Sequence, residues 1–176
     1  MAQYNIIAEN ENYTIVSDYE AVYRTSEKYQ TEAQLEQELI KNLTEQGYEY
    51  LAIHTEKDLV DNLRVQLQRL NDYTFTDSEW ERFFNDVIAN QNEGIEAKTT
   101  KIQEDHIQVL KRDTGETKNI YLIDKKNIHN NYLQVINQYE EEQGNHDARY
   151  DVSILVNGLP LVHIQLKRRG VQRKEA

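Results

Sequence analysis

The 176-residue chain contains no cysteine, one proline, six glycines, one tryptophan and three phenylalanines. Without cysteine there is no disulfide framework and no thiolate metal site, which suits a reducing compartment. No apolar run approaches the roughly 20 residues that a membrane-spanning helix needs. The opening residues MAQYNIIAENENY lack the basic and apolar regions of a secretory signal. A cytoplasmic address with no membrane contact is the simplest expectation. The sequence also has no G-x-x-x-x-G-K-[ST] phosphate loop, no G-x-S-x-G elbow, no dinucleotide-binding loop and no internal repeat. His54, His106, His129, His146 and His163 show no zinc-ligand spacing.

Positive charge is scarce as well. Lysine and arginine number 20 against 31 aspartates and glutamates, for a net charge of −11. Such a chain cannot hold a polyanion well by itself, because phosphate neutralisation supplies most nonspecific nucleic-acid affinity. The positive charge is local: Lys167, Arg168, Arg169, Arg173 and Lys174 cluster near the end, whereas Glu140, Glu141 and Glu142 lie upstream. The cluster is either a solvated strand end or a patch that works once other domains deliver DNA.

The remaining pattern is that of an α/β domain, and the length suffices for one core. Tyr4 to Tyr29 reads as one or two strands and loop. A core helix follows over 32–46, with Leu35, Leu39, Ile40 and Leu43 on one face and Gly47 as its stop signal. Tyr48 to His54 reads as a strand. A helical middle spans 56–90: Leu59, Leu63, Leu67 and Leu70 mark one helix, and Thr76-x-x-Glu79 is a capping box for a second carrying Trp80, Phe83, Phe84, Val87 and Ile88. From Gly94 a polar connector is expected. His106 to Leu110 and Asn119 to Ile123 suggest a hairpin, and Tyr132 to Tyr139 a further strand. The sum is a central mixed sheet flanked by helices in a single domain over 1–176.

The stretch that carries chemistry is the hairpin 150–169, YDVSILVNGLPLVHIQLKRR. Two apolar β runs flank Asn157-Gly158, with Asp151 at one end and Gln165-Leu166-Lys167 at the other. Mg²⁺ takes hard oxygen ligands, usually one or two protein side chains, and leaves room for water and phosphate. Asp151 and Gln165 supply two such oxygens. Lys167, two residues on, stands where an ammonium can position or deprotonate water and offset charge on a phosphorane. Alternation sends Gln165 and Lys167 to one face and Val162, Ile164 and Leu166 into the core.

Register decides whether this works. In a plain two-residue loop Val156 faces Leu159, which places Asp151 opposite Ile164 on the buried face. One extra residue places Asp151 opposite Gln165. Pro160 cannot donate to a ladder, so a bulge or a longer loop is expected near Leu159 and Pro160. By itself, the pattern also suits an ordinary edge hairpin with solvated ends. Asp124-Lys125-Lys126 shows how readily D-x-K arises without a second acidic strand.

The run RYDVSILVNGLPLVHIQLKRRGV resembles the nuclease signature of the restriction (R) subunit of type I restriction-modification enzymes, in the PD-(D/E)-x-K superfamily. TEAQLEQELIKNLTEQGYEY, LRVQLQRLNDYTFTDSEWERFF and NIYLIDKKN are also similar. The resemblance implies a restriction-endonuclease-like core with Asp151 as first metal ligand, Gln165 as second, the Leu166 backbone carbonyl as a third and Lys167 as the catalytic lysine. It implies an accessory acid on the first helix, Glu32 or Glu36, and DNA contacts from Arg168, Arg169 and Arg173. It further implies Mg²⁺ in this domain, double-stranded DNA as substrate, and modification and specificity subunits as partners in a bacterial or archaeal cytoplasm. ATP would belong to motor domains outside this chain. Helix and strand elements closing the core are expected beyond Ala176.

The chain departs from the family pattern at Gln165, where glutamate is usual. Losing a carboxylate removes charge from the metal site, yet an amide oxygen still ligates. Two readings follow: an active nuclease that needs more metal, or a catalytically degenerate nuclease fold kept as a scaffold or interaction module.

Overall fold

The computed structural model describes residues 5–9, 14–17, 31–141 and 148–167. Two strands, β1 (Asn5–Glu9) and β2 (Thr14–Ser17), pair antiparallel near the start. Helix α1 (Glu32–Glu45) opens on a capping box, in which the Thr31 hydroxyl accepts from the Gln34 amide and Gln34 returns a bond to the Thr31 amide. Strand β3 (Glu49–Tyr50) is shorter than the expected Tyr48 to His54. It pairs parallel with β6 (Leu133–Glu141) only at Glu49↔Gln134 and Tyr50↔Val135, after which Leu51 donates one more bond to Val135. Helix α2 (Glu56–Asn71) ends where Asp72 turns left-handed with φ 45°.

Helix α3 (Asp77–Phe83) carries the expected capping box between Thr76 and Glu79 and runs into one π-helical turn, Phe84–Ile88. Ile95–Gln103 forms helix α4, where a connector was expected. Ile95, Thr99, Thr100 and Ile102 are β-branched and weaken the local helix signal. The turns of α4 are completed by Gly94 at its N-terminus and by Ile102 packing on the main core. Strands β4 (Ile107–Lys111) and β5 (Thr117–Tyr121) form the expected hairpin, a separate two-stranded sheet.

The principal sheet has the order β3-β6-β7-β8, with β7 spanning Ala148–Val156 and β8 Leu159–Ile164. It is mixed: β3 runs parallel to β6, and the other neighbours are antiparallel. Helices cover both faces. On one side Leu39, Ile40 and Leu43 of α1 pack against Val135, Val152, Ile154, Ile164 and Leu166. On the other, Leu59 of α2 lies over Ile136, Tyr139, Tyr150 and Leu155. Leu63 and Leu67 of α2 join Phe75, Trp80, Phe83, Leu110, Ile120, Leu122 and Leu159 in the largest cluster. The aromatics of the helical middle are therefore core, as their helical spacing implies. The expected mixed sheet flanked by helices is what the chain forms.

Two features of this packing position the hairpin. Asn157 and Gly158 both have positive φ, 51° and 81°, as a two-residue type I′ turn requires. A Cβ on Gly158 would lie 2.6 Å from the Leu63 Cα, so only glycine lets the turn press against α2.

Candidate active site

The site is built by the register of β7 and β8. At the turn, Val156 pairs with Leu159 and Leu155 with Pro160. The next pair is Ile154↔Val162, so Leu161 is an extra residue bulged out of β8. Pairing then runs through Ser153↔His163 to Val152↔Ile164. Without that bulge Asp151 would stand opposite Ile164. With it the register leads to Asp151 opposite Gln165, and the irregularity lies one residue past the expected Leu159-Pro160. Among the described residues β8 is the edge strand, where a proline's missing N–H breaks no inner ladder.

The ladder stops at Ile164, and a side chain takes over. The Leu166 amide donates to the Asp151 carboxylate at 2.6 Å. This bond, short as charge-assisted bonds are, fastens the 165–167 segment to the start of β7. Asp151 is half-buried, Gln165 and Lys167 are exposed, and Leu166 turns into the α1 core. Alternation thus holds for Ile164 and Leu166, while Val162, on the same face through its pairing with Ile154, remains 45% exposed. Among the described residues no strand pairs beyond β8 to cover it.

The two helix acids separate clearly. Glu32 is exposed in the first turn of α1. Glu36 is half-buried and accepts from Asn137 Nδ2 at 2.6 Å and Gln138 Nε2 at 2.5 Å. It therefore contacts β6 across from Asp151. Arg168, Arg169 and Arg173 lie outside the described residues.

By alternation His163 shares a face with Gln165 and Lys167, where it could meet substrate or water or simply face solvent. It is exposed, but its Nδ1 lies 2.8 Å from the buried Ser153 hydroxyl, and its ring stacks on Tyr150 with centroids 4.1 Å apart. The serine opposite the histidine could be found only once the bulge fixed the register. Asn157 was also missed as a hub. It is fully buried, accepts from the Tyr132 amide at 2.8 Å and donates to the Leu122 carbonyl at 3.0 Å. The Asn-Gly pair announces the turn, but nothing local announces its burial.

Among the described residues, no three His, Cys, Asp or Glu side chains converge to hold a metal ion. The donor set implied for Mg²⁺ is instead one carboxylate, one amide oxygen and one backbone carbonyl. All are hard oxygens and fit such a cation. A carboxylate offers about four acceptor sites, so the Leu166 bond does not exhaust Asp151.

The model of the type I restriction enzyme R protein N terminus matches residues 29–176, the stretch that contains α1, the sheet and the bulged hairpin. The chain belongs to this family. It is 46% identical over 171 residues to the type I restriction enzyme EcoprrI endonuclease subunit of Escherichia coli, across 97% of this chain and 54% of that protein. It is 37% identical over 153 residues to the SsaAORF53P endonuclease subunit of Staphylococcus saprophyticus, and over 155 residues to the SauCOLORF180P subunit of Staphylococcus aureus. In those two cases 84% of this chain matches 16% of the relative. The chain thus spans about half the length of the E. coli relative and a smaller part of the staphylococcal ones.

Proposed function

We propose that this R-protein domain is a Mg²⁺-dependent endonuclease that hydrolyses phosphodiester bonds of double-stranded DNA as part of a type I restriction enzyme. The single observation that carries the reading is the Leu161 bulge together with the Leu166–Asp151 bond. They hold the start of β7 against the 165–167 segment, and an ordinary edge hairpin has no need of either.

In this reading Asp151 and Gln165 hold the metal with the Leu166 carbonyl, and Lys167 serves the water. The ion, when bound, would polarise the scissile phosphate and lower the pKa of the attacking water. Asp151 supplies the only formal negative charge in that set and is oriented by the Leu166 amide. Gln165 contributes a neutral oxygen, which weakens metal affinity relative to glutamate. The Lys167 ammonium, exposed two residues past Gln165, orients the nucleophile and offsets charge on the phosphorane. Arg168, Arg169 and Arg173 would meet the DNA backbone. Motor domains and the modification and specificity subunits would supply DNA and ATP-driven movement. The chemistry takes place in the bacterial or archaeal cytoplasm.

Gln165 itself favours the alternative of a degenerate fold kept as a scaffold. Metal titration of the assembled enzyme separates the two. The nuclease reading predicts cleavage that saturates with Mg²⁺ or Mn²⁺, a lower metal requirement for Gln165→Glu, and no cleavage for Asp151→Ala. Cleavage absent at every metal concentration and restored by Gln165→Glu would establish the scaffold.

A further inference from the structure

Strand β6 does not keep one face to one side of the molecule. Asn137 pairs with Val152 and Tyr139 with Tyr150, which leaves Gln138 across from Asp151. Gln138 is left-handed, with φ 53°. Before this point Val135 and Val152 pack towards α1, whereas Tyr139 and Tyr150 pack on the α2 side. Regular alternation would have kept Val135 with Tyr139, and Val152 with Tyr150. The left-handed residue reverses both strands at the position of the candidate metal ligand.

Glutamine gains nothing from positive φ by itself, because its Cβ crowds the backbone there. The neighbouring contacts show what holds it. Adjacent residues of a regular strand point to opposite faces, yet the Asn137 and Gln138 amides both reach Glu36, one on each carboxylate oxygen, at 2.6 and 2.5 Å. The Tyr50 hydroxyl donates to Asn137 Oδ1 at 2.8 Å and fixes which end of that amide faces the helix. An ionised carboxylate is acceptor-only and suits two amide donors at once.

We propose that Glu36 is a positioning residue: it clamps the β6–β7 reversal at Gln138 and so sets the direction in which Asp151 presents its carboxylate to Leu166 and to substrate. The proposal rests on the nuclease reading of Asp151. Glu36 acts through the sheet and is not itself a metal ligand.

The test uses the full-length R subunit assembled with its partners and carrying Glu36→Ala, alone and with Gln138→Gly. Glycine adopts positive φ without a clamp, so the double variant recovers the geometry that the single variant loses. Glu36→Ala lowers the turnover of DNA cleavage by roughly tenfold or more, since small misplacements of reacting groups are costly, while the KM for DNA holds. The double variant restores most of that turnover. Hydrogen exchange speeds up at the Leu166 amide and around 150–152 in Glu36→Ala and slows again in the double variant. If Glu36→Ala does not fold, Glu36→Gln, which keeps one acceptor oxygen, shows a smaller loss of the same kind.

Unchanged turnover in Glu36→Ala overturns the proposal. So does a loss that Gln138→Gly fails to rescue, which would point to a ligand or to general destabilisation. The exchange readout does not need cleavage: if Lys167→Ala in the same assembly cuts DNA normally, the nuclease reading fails, and exchange alone still judges the clamp.

Discussion

Asn157 occupies the corner where the β7–β8 hairpin meets the rest of the molecule. It is fully buried, left-handed, and bonded to Tyr132, Leu122 and Asn131. Asn157→Ala strands the Tyr132 amide and the Leu122 carbonyl, and each buried unpaired group costs about 1–3 kcal/mol. Asn157→Gly relieves the backbone but loses the same bonds, so it should recover only the smaller, conformational share. Denaturant midpoints of the two variants measure the split. Gly158→Ala is harsher, because the new Cβ meets the Leu63 Cα at 2.6 Å and α2 cannot yield as a flexible side chain would. A loss of about 2 kcal/mol or more is expected from the positive φ and the overpacking together; a midpoint matching the parent would mean that the turn does not press on α2. The backbone demands at Asn157-Gly158 were legible in the sequence. The surface the turn docks on was not, since that depends on a helix some 90 residues upstream.

At the scale of elements, the β4–β5 hairpin is latched to α3 through one turn residue. The Asp113 carboxylate accepts from the Ser78 hydroxyl at 2.6 Å, the Thr76 hydroxyl at 2.5 Å and Arg82 at 2.6 Å, and these bonds hold its pKa well below the usual carboxylate range. Burial of Glu79 opposes ionisation, but the Asp113 and Thr76 amides and the Tyr73 hydroxyl outweigh it and hold that carboxyl low as well. A depressed folded pKa stabilises above the unfolded value and is lost as pH falls through the folded one. The latch is therefore complete at neutral pH and fails progressively below about pH 4, the ordinary aspartate pKa. Asp113→Asn should be less stable at neutral pH and should show a shallower loss into acid; urea midpoints against pH measure this, and an unchanged acid limb would remove Asp113 from the account. The capping box at Thr76 was readable, because its residue types sit at fixed offsets. The partner loop was not, because Asp113 lies 37 positions away from Thr76. Helix α4 escaped for the opposite reason: tertiary packing overrides a weak local signal.

For the molecule as a whole, charge and connectivity set the limits. With a net charge of −11, the isolated chain should bind duplex DNA more weakly than the ~10⁻⁴ to 10⁻⁶ M typical of nonspecific binders at physiological salt. Fluorescence anisotropy with a labelled duplex checks this, and tight, salt-sensitive binding would contradict delivery by other domains. The site was legible to the extent that register could be argued from Asn157-Gly158 and Pro160. The role of α1 could not be argued that way, since choosing Glu36 over Glu32 needs the helix docked on β6. The most direct test of the central claim, that Asp151, Gln165 and Lys167 work as one nuclease site, is plasmid cleavage by the assembled enzyme with Lys167→Ala in this domain. The account predicts a fall of roughly 10²-fold or more with DNA binding by the assembly retained, and cleavage at the parental rate would contradict it.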